Sequence, residues 1–306
     1  MNPTSRPVAF LLIGVLCFIW GSTWPIIKIG LDVLPPFLGA GFRFLVAAIV
    51  LFGLSWLQKV RLPRSRWAHL GLLGHGVFGI GLSYGVVYWG EQYIPAGLSA
   101  VLFATNPLFV MLLAHLMLAS EPMTLRKLVG VVLGFLGVLL IFKDGLQLPD
   151  RTSELAAAVT LVSPFVAALS NVGIKRWGQH LHPYNLTALP MTYAAAGLLV
   201  VSVLTEDVAN VPWTGTAVGS VMYLALVGSV AAFVIFYTLL KQFTVSTLAF
   251  ITYVFPIVAI VLGYLLLGET MEMQSLAGAT IIAIGIIVAT RPYSSRPLRT
   301  VRMDGC

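Results

Sequence analysis

Residues 96–142 read AGLSAVLFATNPLFVMLLAHLMLASEPMTLRKLVGVVLGFLGVLLIF, and residues 247–289 read TLAFITYVFPIVAIVLGYLLLGETMEMQSLAGATIIAIGIIVA. Each is an apolar run interrupted at a proline (Asn106-Pro107, Phe255-Pro256), then a small residue beside a glutamate (Ser120-Glu121, Gly268-Glu269). A second apolar run comes next in each, carrying paired glycines (Gly130 and Gly137, Gly278 and Gly285). Glu121, Gly130 and Gly137 meet their counterparts 148 positions later, whereas the prolines are 149 apart, so one small indel separates the blocks. Self-similarity at such a period is the mark of a duplicated structural unit.

Of the 306 residues, 58% are hydrophobic and only 9% charged, more apolar surface than a water-soluble fold can hide. Hydrocarbon about 30 Å thick needs roughly 20 apolar residues per crossing helix. Ten stretches meet that need: 8–28, 36–57, 68–89, 95–118, 124–142, 153–175, 184–205, 215–239, 245–267 and 273–290. The first lacks a small-residue cleavage site before Trp20-Gly21-Ser22-Thr23-Trp24-Pro25 and reads as a retained helix. The joins are too short to hold an extramembrane domain. Cys17 and Cys306 are too few and too distant for a disulfide or metal framework.

The net charge of +7 is a matter of topology. With the N-terminus cytoplasmic, 14 of the 18 basic residues fall on that side, among them Arg61, Arg64, Arg126, Lys175, Arg176 and the tail Arg291–Arg302. Lys28, Lys143 and Arg151 fall outside and Arg43 within a helix, so basic residues are strongly biased toward the cytoplasm. That bias fits ten spans with both termini cytoplasmic and removes the need for a nucleic-acid partner. The expected fold is therefore an all-α polytopic membrane protein with ten transmembrane helices as two inverted five-helix repeats. They occupy 8–142 and 153–290, joined by a linker at 143–152 and followed by a basic tail, 291–306. Because five is odd, the second repeat is upside down relative to the first, the arrangement of carriers whose halves meet at a midplane site and rock between two openings.

Trp20-Gly21-Ser22-Thr23-Trp24, Phe42-Arg43-Phe44 and the Pro107-to-Glu121 and Pro256-to-Glu269 blocks resemble the EamA family of the drug/metabolite transporter superfamily over nearly the whole chain. The resemblance implies a ten-helix carrier of a bacterial-type inner membrane, typically an exporter of amino acids or related metabolites, here nearest the aromatic and neutral amino-acid exporters. It implies small-molecule substrates and lipid contact, with no obligatory protein partner.

A zwitterion leaving water needs replacement hydrogen bonds, so a site should present polar and aromatic groups to the interior. Trp20 and Trp24 share a face of the first helix; their mates by repeat are Ala167 and Asn171, with Ser170 beside the latter. His75, Tyr84 and Tyr88 on the third helix, Phe103 and Asn106 on the fourth, and Phe236 and Tyr253 from the second half complete the expected substrate-binding set. Pro25, Pro107, Pro164 and Pro256 are expected to kink helices and act as gates, since proline removes a backbone hydrogen bond. Arg43 either binds a carboxylate, or snorkels to the outer interface or caps carbonyls of a neighbouring helix; Lys28 and Lys175 either attract anions at the two mouths or anchor helix ends.

No Asp or Glu falls clearly inside a stretch, which points to a facilitative carrier without a carboxylate proton relay and away from exporters of lipophilic cations. Several embedded basic groups, as a phosphorylated substrate requires, are missing as well. For a membrane enzyme, His180 and His182 are the only close histidine pair and have no nearby acids. The glycines form no phosphate cradle, and no cofactor or metal is expected.

Overall fold

The computed structural model describes residues 5–141, 150–255, 257–258 and 273–290, and these are helical with no strand among them. Seven helices are long and apolar enough to cross a membrane. They are α1 (Arg6–Leu31) and α2 (Pro36–Leu57), α3 (Arg66–Gly90) and α4 (Ala96–Met117), α6 (Arg151–Gly178) and α8 (Gly215–Leu240), and α7 (Pro183–Thr205). Shorter apolar helices stand at the other expected positions: α5 (Leu125–Ile141), α9 (Val245–Phe255) and α10 (Met273–Thr290). Gly268, Glu269, most of the 143–152 linker, the 291–306 tail and Pro256 lie outside the described residues.

Prolines decide where two helices break. Proline lacks an N–H and its ring collides with the carbonyl four residues back. In α4 the α-helical ladder stops at Ala104 and Thr105, just ahead of Pro107, and Leu108 N–H returns to Thr105 O at 3.0 Å. In α6 it stops at Leu161, ahead of Pro164. By contrast, α1 runs unbroken past Pro25, which is exposed. Wider π-helical turns occur at His75–Leu82 in α3 and at Leu226–Ala231 in α8. They lie at nearly equivalent places in the two halves.

The paired glycines of the duplicated blocks meet one another. A Cβ on Gly137 would stand 2.7 Å from Gly278 O, and one on Gly278 would stand 2.7 Å from Gly137 O. One on Gly130 would be 2.5 Å from Gly285 O, and one on Gly285 would be 2.7 Å from Gly130 O. Only hydrogen fits at these contacts, so α5 and α10 pack backbone to backbone, as small residues permit in lipid. Helix α2 also packs along α7, with the small Ala40, Ala47, Ala194 and Ala195 buried.

Helix ends are completed by distant side chains. The Glu206 carboxylate accepts Phe37 N–H at 2.8 Å and Leu38 N–H at 3.0 Å, capping α2. Glu121 accepts Val245 N–H at 2.9 Å, Ser246 N–H at 3.1 Å and Ser246 Oγ–H at 2.7 Å, capping α9. A negative group at a helix N-terminus satisfies orphan donors and the helix dipole together. At the opposite polarity, Lys28 Nζ donates to Glu91 O at 2.5 Å after α3, and Lys175 Nζ donates to Leu240 O at 2.6 Å and Phe243 O at 2.7 Å after α8. The two lysines, read from the sequence as mouth or anchor residues, are thus equivalent caps of two equivalent helices.

Candidate functional site

A cavity of about 90 Å³ lies among α1, α3, α4, α6, α8 and α9. From α1 come Trp20, Thr23, Trp24 and Ile27, the one face that helical spacing brings together. Helix α3 adds His75, Ser83 and Tyr84, and α4 adds Phe103 and Asn106 from either side of its break. Across from them stand Ser163, Ala167 and Asn171 of α6, Phe233, Phe236 and Tyr237 of α8, and Thr252 and Phe255 of α9. No Asp, Glu, Lys or Arg is on this wall among the described residues.

The aromatic rings brace each other, Trp20 edge to face with Phe233 and Phe255 and tilted against Phe236, and Trp24 tilted against Phe103. Trp20 meets Phe233 at 5.6 Å between centroids, Phe236 at 5.4 Å and Phe255 at 6.2 Å, while Trp24 lies 5.6 Å from Phe103. Such contacts hold the indoles in place. Yet the Nε1 of Trp20 and of Trp24 are both buried and have no hydrogen-bond partner. Two unsatisfied donors, each costing about 1–3 kcal/mol, belong to cavity-lining indoles four residues apart on one helix.

Polar bonds at the wall join the two expected halves. Asn106 Nδ2 donates to Pro164 O at 2.8 Å, and the Ser83 and Ser163 hydroxyls pair at 2.8 Å. His75 is held at both ring nitrogens, Nδ1 by Ser170 Oγ and Nε2 by Tyr237 Oη. The bulge in α3 that begins at His75 sets this ring between α6 and α8.

Of the residues expected at the site, Trp20, Trp24, His75, Tyr84, Phe103, Asn106, Asn171 and Phe236 line the cavity. Ser170 stands behind the wall and steadies His75. Tyr88 is buried away from the wall, its hydroxyl 3.4 Å from Arg43 Nη1. Tyr253 is fully buried, with its ring against Gly134 and its hydroxyl donating to Val131 O at 2.9 Å. It belongs to the α5 seam, just beyond a turn at Phe250 that interrupts α9. Pro107 and Pro164 set the breaks in α4 and α6 without lining the cavity, and Pro25 faces outward.

Arg43 neither snorkels nor reaches the cavity. It is fully buried, with Nε donating to Ser229 Oγ at 2.9 Å and the guanidinium 4.7 Å from the Tyr84 ring centre. Glu91 was not among the residues expected at the site. Glu91 follows the last residue of α3, is 0% exposed, and has both carboxyl oxygens buried without a hydrogen bond. Its place one residue past an apolar stretch, between Gly90 and Gln92, was the available signal. Among the described residues no group of three His, Cys, Asp or Glu side chains is placed to hold a metal.

Over the described residues the fold is all-helical, with seven helices long and apolar enough to cross a membrane, and comparison with known proteins gives its class. Residues 7–143 and 154–291 each match the EamA-like transporter family, and the chain belongs to that family. It is 29% identical to the uncharacterized transporter YoaV of Bacillus subtilis, over 94% of this chain and 98% of that one. It is 28% identical to a probable amino-acid metabolite efflux pump of Salmonella typhimurium, over 98% of this chain and 100% of that one. The uncharacterized inner membrane transporter YedA of Escherichia coli is 29% identical over 90% of this chain and 88% of its own. A solved crystal structure superposes with a TM-score of 0.79 at 18% identity, covering 94% of this chain and 97% of the other, a likeness of fold.

Proposed function

We propose that this EamA-type transporter exports neutral or aromatic amino acids, or closely related zwitterionic metabolites, by alternating access of two inverted five-helix halves. The observation that carries the reading is the pair of orphaned indole donors, Trp20 Nε1 and Trp24 Nε1, on a wall without charged side chains. A substrate carboxylate supplies the missing acceptors, and the surrounding Phe233, Phe236 and Tyr84 rings suit an apolar or aromatic side chain. A lipophilic cation would want an acid on the wall, and a phosphorylated metabolite would want bases there. The Salmonella relative named as an amino-acid metabolite efflux pump supports the same substrate class. The cytoplasmic placement of both termini in a bacterial-type inner membrane rests on the distribution of Lys and Arg.

A reconstituted counterflow panel of neutral, aromatic, cationic and phosphorylated compounds tests the reading. Saturable counterflow confined to the amino acids is the expected result; flux of the cations alone would overturn it. Trp20→Phe and Trp24→Phe keep a ring and remove only the donor. Each is expected to raise KM for the accepted amino acid about tenfold, the loss of one hydrogen bond to a charged group of about 1.5 kcal/mol. An unchanged KM in both variants would remove the indoles from substrate recognition. The facilitative mode expected from the sequence rests on no Asp or Glu lying clearly inside a membrane stretch; Glu91, though buried, follows the last residue of α3.

A further inference from the structure

Among the described residues Arg43 is the largest side chain that is fully buried, and it is charged. Its partners are all neutral: Nε donates to Ser229 Oγ at 2.9 Å, Nη1 to Tyr88 Oη at 3.4 Å and Nη2 to Gly228 O at 3.4 Å. The acid within its electrostatic reach is Glu91, whose buried carboxyl oxygens take no hydrogen bond from it or from any other donor. Burial pushes that carboxyl up to about 8 against the pull of Lys28 and Arg43, so near neutral pH it is mostly the uncharged acid and balances no charge. A guanidinium keeps its proton in such a setting, and a buried charge without a counter-ion is costly.

The guanidinium stands directly behind the cavity wall. It lies 4.7 Å from the ring centre of Tyr84, which lines the cavity. It also borders Gly228, where a Cβ would stand 3.4 Å from Arg43 Nη2 and 3.0 Å from Cγ2 of the wall residue Thr23. Tyr84 and Trp20 both meet Phe233, at 6.2 and 5.6 Å between ring centres. The unbalanced charge is therefore on the side of the cavity that carries the orphaned indole donors.

We infer that Arg43 sets the substrate specificity of this carrier, acting through the wall as a fixed positive charge that admits solutes bearing a carboxylate and turns away organic cations. The inference rests on the transport reading above and names the charge that selects its substrate. Only the Tyr84 ring and its neighbours separate the guanidinium from the cavity, and in apolar surroundings charges are weakly screened. Two unit charges about 10 Å apart at an effective dielectric of about 20 change an affinity by at least about tenfold. An anion gains that factor and a cation loses it. A zwitterion satisfies the field by its orientation, with the carboxylate toward Trp20, Trp24 and Tyr84 and the ammonium toward Asn106 and Asn171. Asn106 Nδ2 is committed to Pro164 O, which leaves its amide oxygen to accept. An entering carboxylate also supplies the counter-ion that the empty carrier lacks. Arg43 is a positioning charge that never touches the substrate, unlike the indoles that meet it.

Two probes matched in shape and opposite in sign, 3-phenylpropionate and phenethylammonium, are titrated calorimetrically into purified wild type, Arg43→Met, Arg43→Lys and Ser229→Ala. Wild type is expected to favour the anion. Arg43→Met keeps a chain without its charge and is expected to lose at least about tenfold of that preference, which Arg43→Lys restores. Ser229→Ala removes the 2.9 Å bond but leaves the charge, and is expected to keep the preference. A merely structural role for Arg43 would instead weaken both probes together, and in Ser229→Ala as well. A wild type without preference, an Arg43→Met preference within about twofold of wild type, or a Ser229→Ala that matches Arg43→Met overturns the inference. Counterflow of labelled L-phenylalanine in proteoliposomes checks the transport reading separately; if it is absent that reading falls, whereas the titrations still decide the sign of the cavity. Should Arg43→Met not fold, Arg43→Gln takes its place, and a wild type that binds both probes equally refutes the assignment without any variant.

Discussion

Gly137→Leu is expected to abolish the monodisperse, folded protein in detergent extracts, with Gly137→Ala already lowering its thermal midpoint by several degrees. The cause is steric: a Cβ at this position stands 2.7 Å from Gly278 O, 2.7 Å from Ile282 Cγ1 and 3.0 Å from Ile282 N. Two of those three atoms are backbone and cannot rotate aside, so α5 and α10 must move apart along their length. Overpacking in a well-filled core commonly costs about 1–3 kcal/mol, and contact with backbone puts this site at or above that range. Gly53→Leu is the control, because nothing lies within 4 Å of a Cβ there. Size-exclusion profiles of tagged variants measure both; equal profiles for Gly137→Leu and Gly53→Leu would mean that the seam is not close-packed.

Glu121→Ala is expected to give the next largest loss, about 2–4 kcal/mol of stability together with a fall in transport. The carboxylate is buried and accepts three bonds from the first turn of α9, of 2.9, 3.1 and 2.7 Å. Its removal orphans buried N–H donors of Val245 and Ser246, each costing about 1–3 kcal/mol, and withdraws a negative charge from a helix N-terminus. Transport suffers because the same helix carries Leu248, Thr252 and Phe255 to the cavity wall. Glu121→Gln, which keeps an acceptor oxygen, should recover part of the midpoint. Thermal unfolding of the three proteins in one detergent measures the series, and a Glu121→Ala midpoint equal to that of wild type would show that Thr244, which also caps α9, suffices alone.

How much of the fold and site was legible in the sequence differs from element to element. The glycine spacing at Gly130, Gly137, Gly278 and Gly285 is a local pattern with one physical use, and the structure employs it for helix contact. Trp20 and Trp24 were legible as one face because helical geometry fixes that relation without knowledge of neighbours. Tyr253 was misplaced for the opposite reason: the break in α9 rotates the residues beyond it, and a break shifts faces by an amount no periodicity reveals. Lys28 and Lys175 looked like interface anchors because their true partners are main-chain oxygens 63 and 65 or more positions away, invisible to any local reading. Glu91 reads as a loop residue because it lies just past an apolar stretch, although it is buried in the structure.

The exchange of caps has a consequence for how the chain is made. Glu206, near the end of α7, completes the start of α2, and Glu121, after α4, completes the start of α9. During synthesis α2 is delivered to the membrane some 170 residues before its acceptor exists, so Phe37 and Leu38 must keep water or lipid headgroups as partners until α7 arrives. The second half, by contrast, finds Glu121 already waiting. Assembly is therefore directional even though the two finished caps are alike, and the first half is the one that waits, incompletely closed.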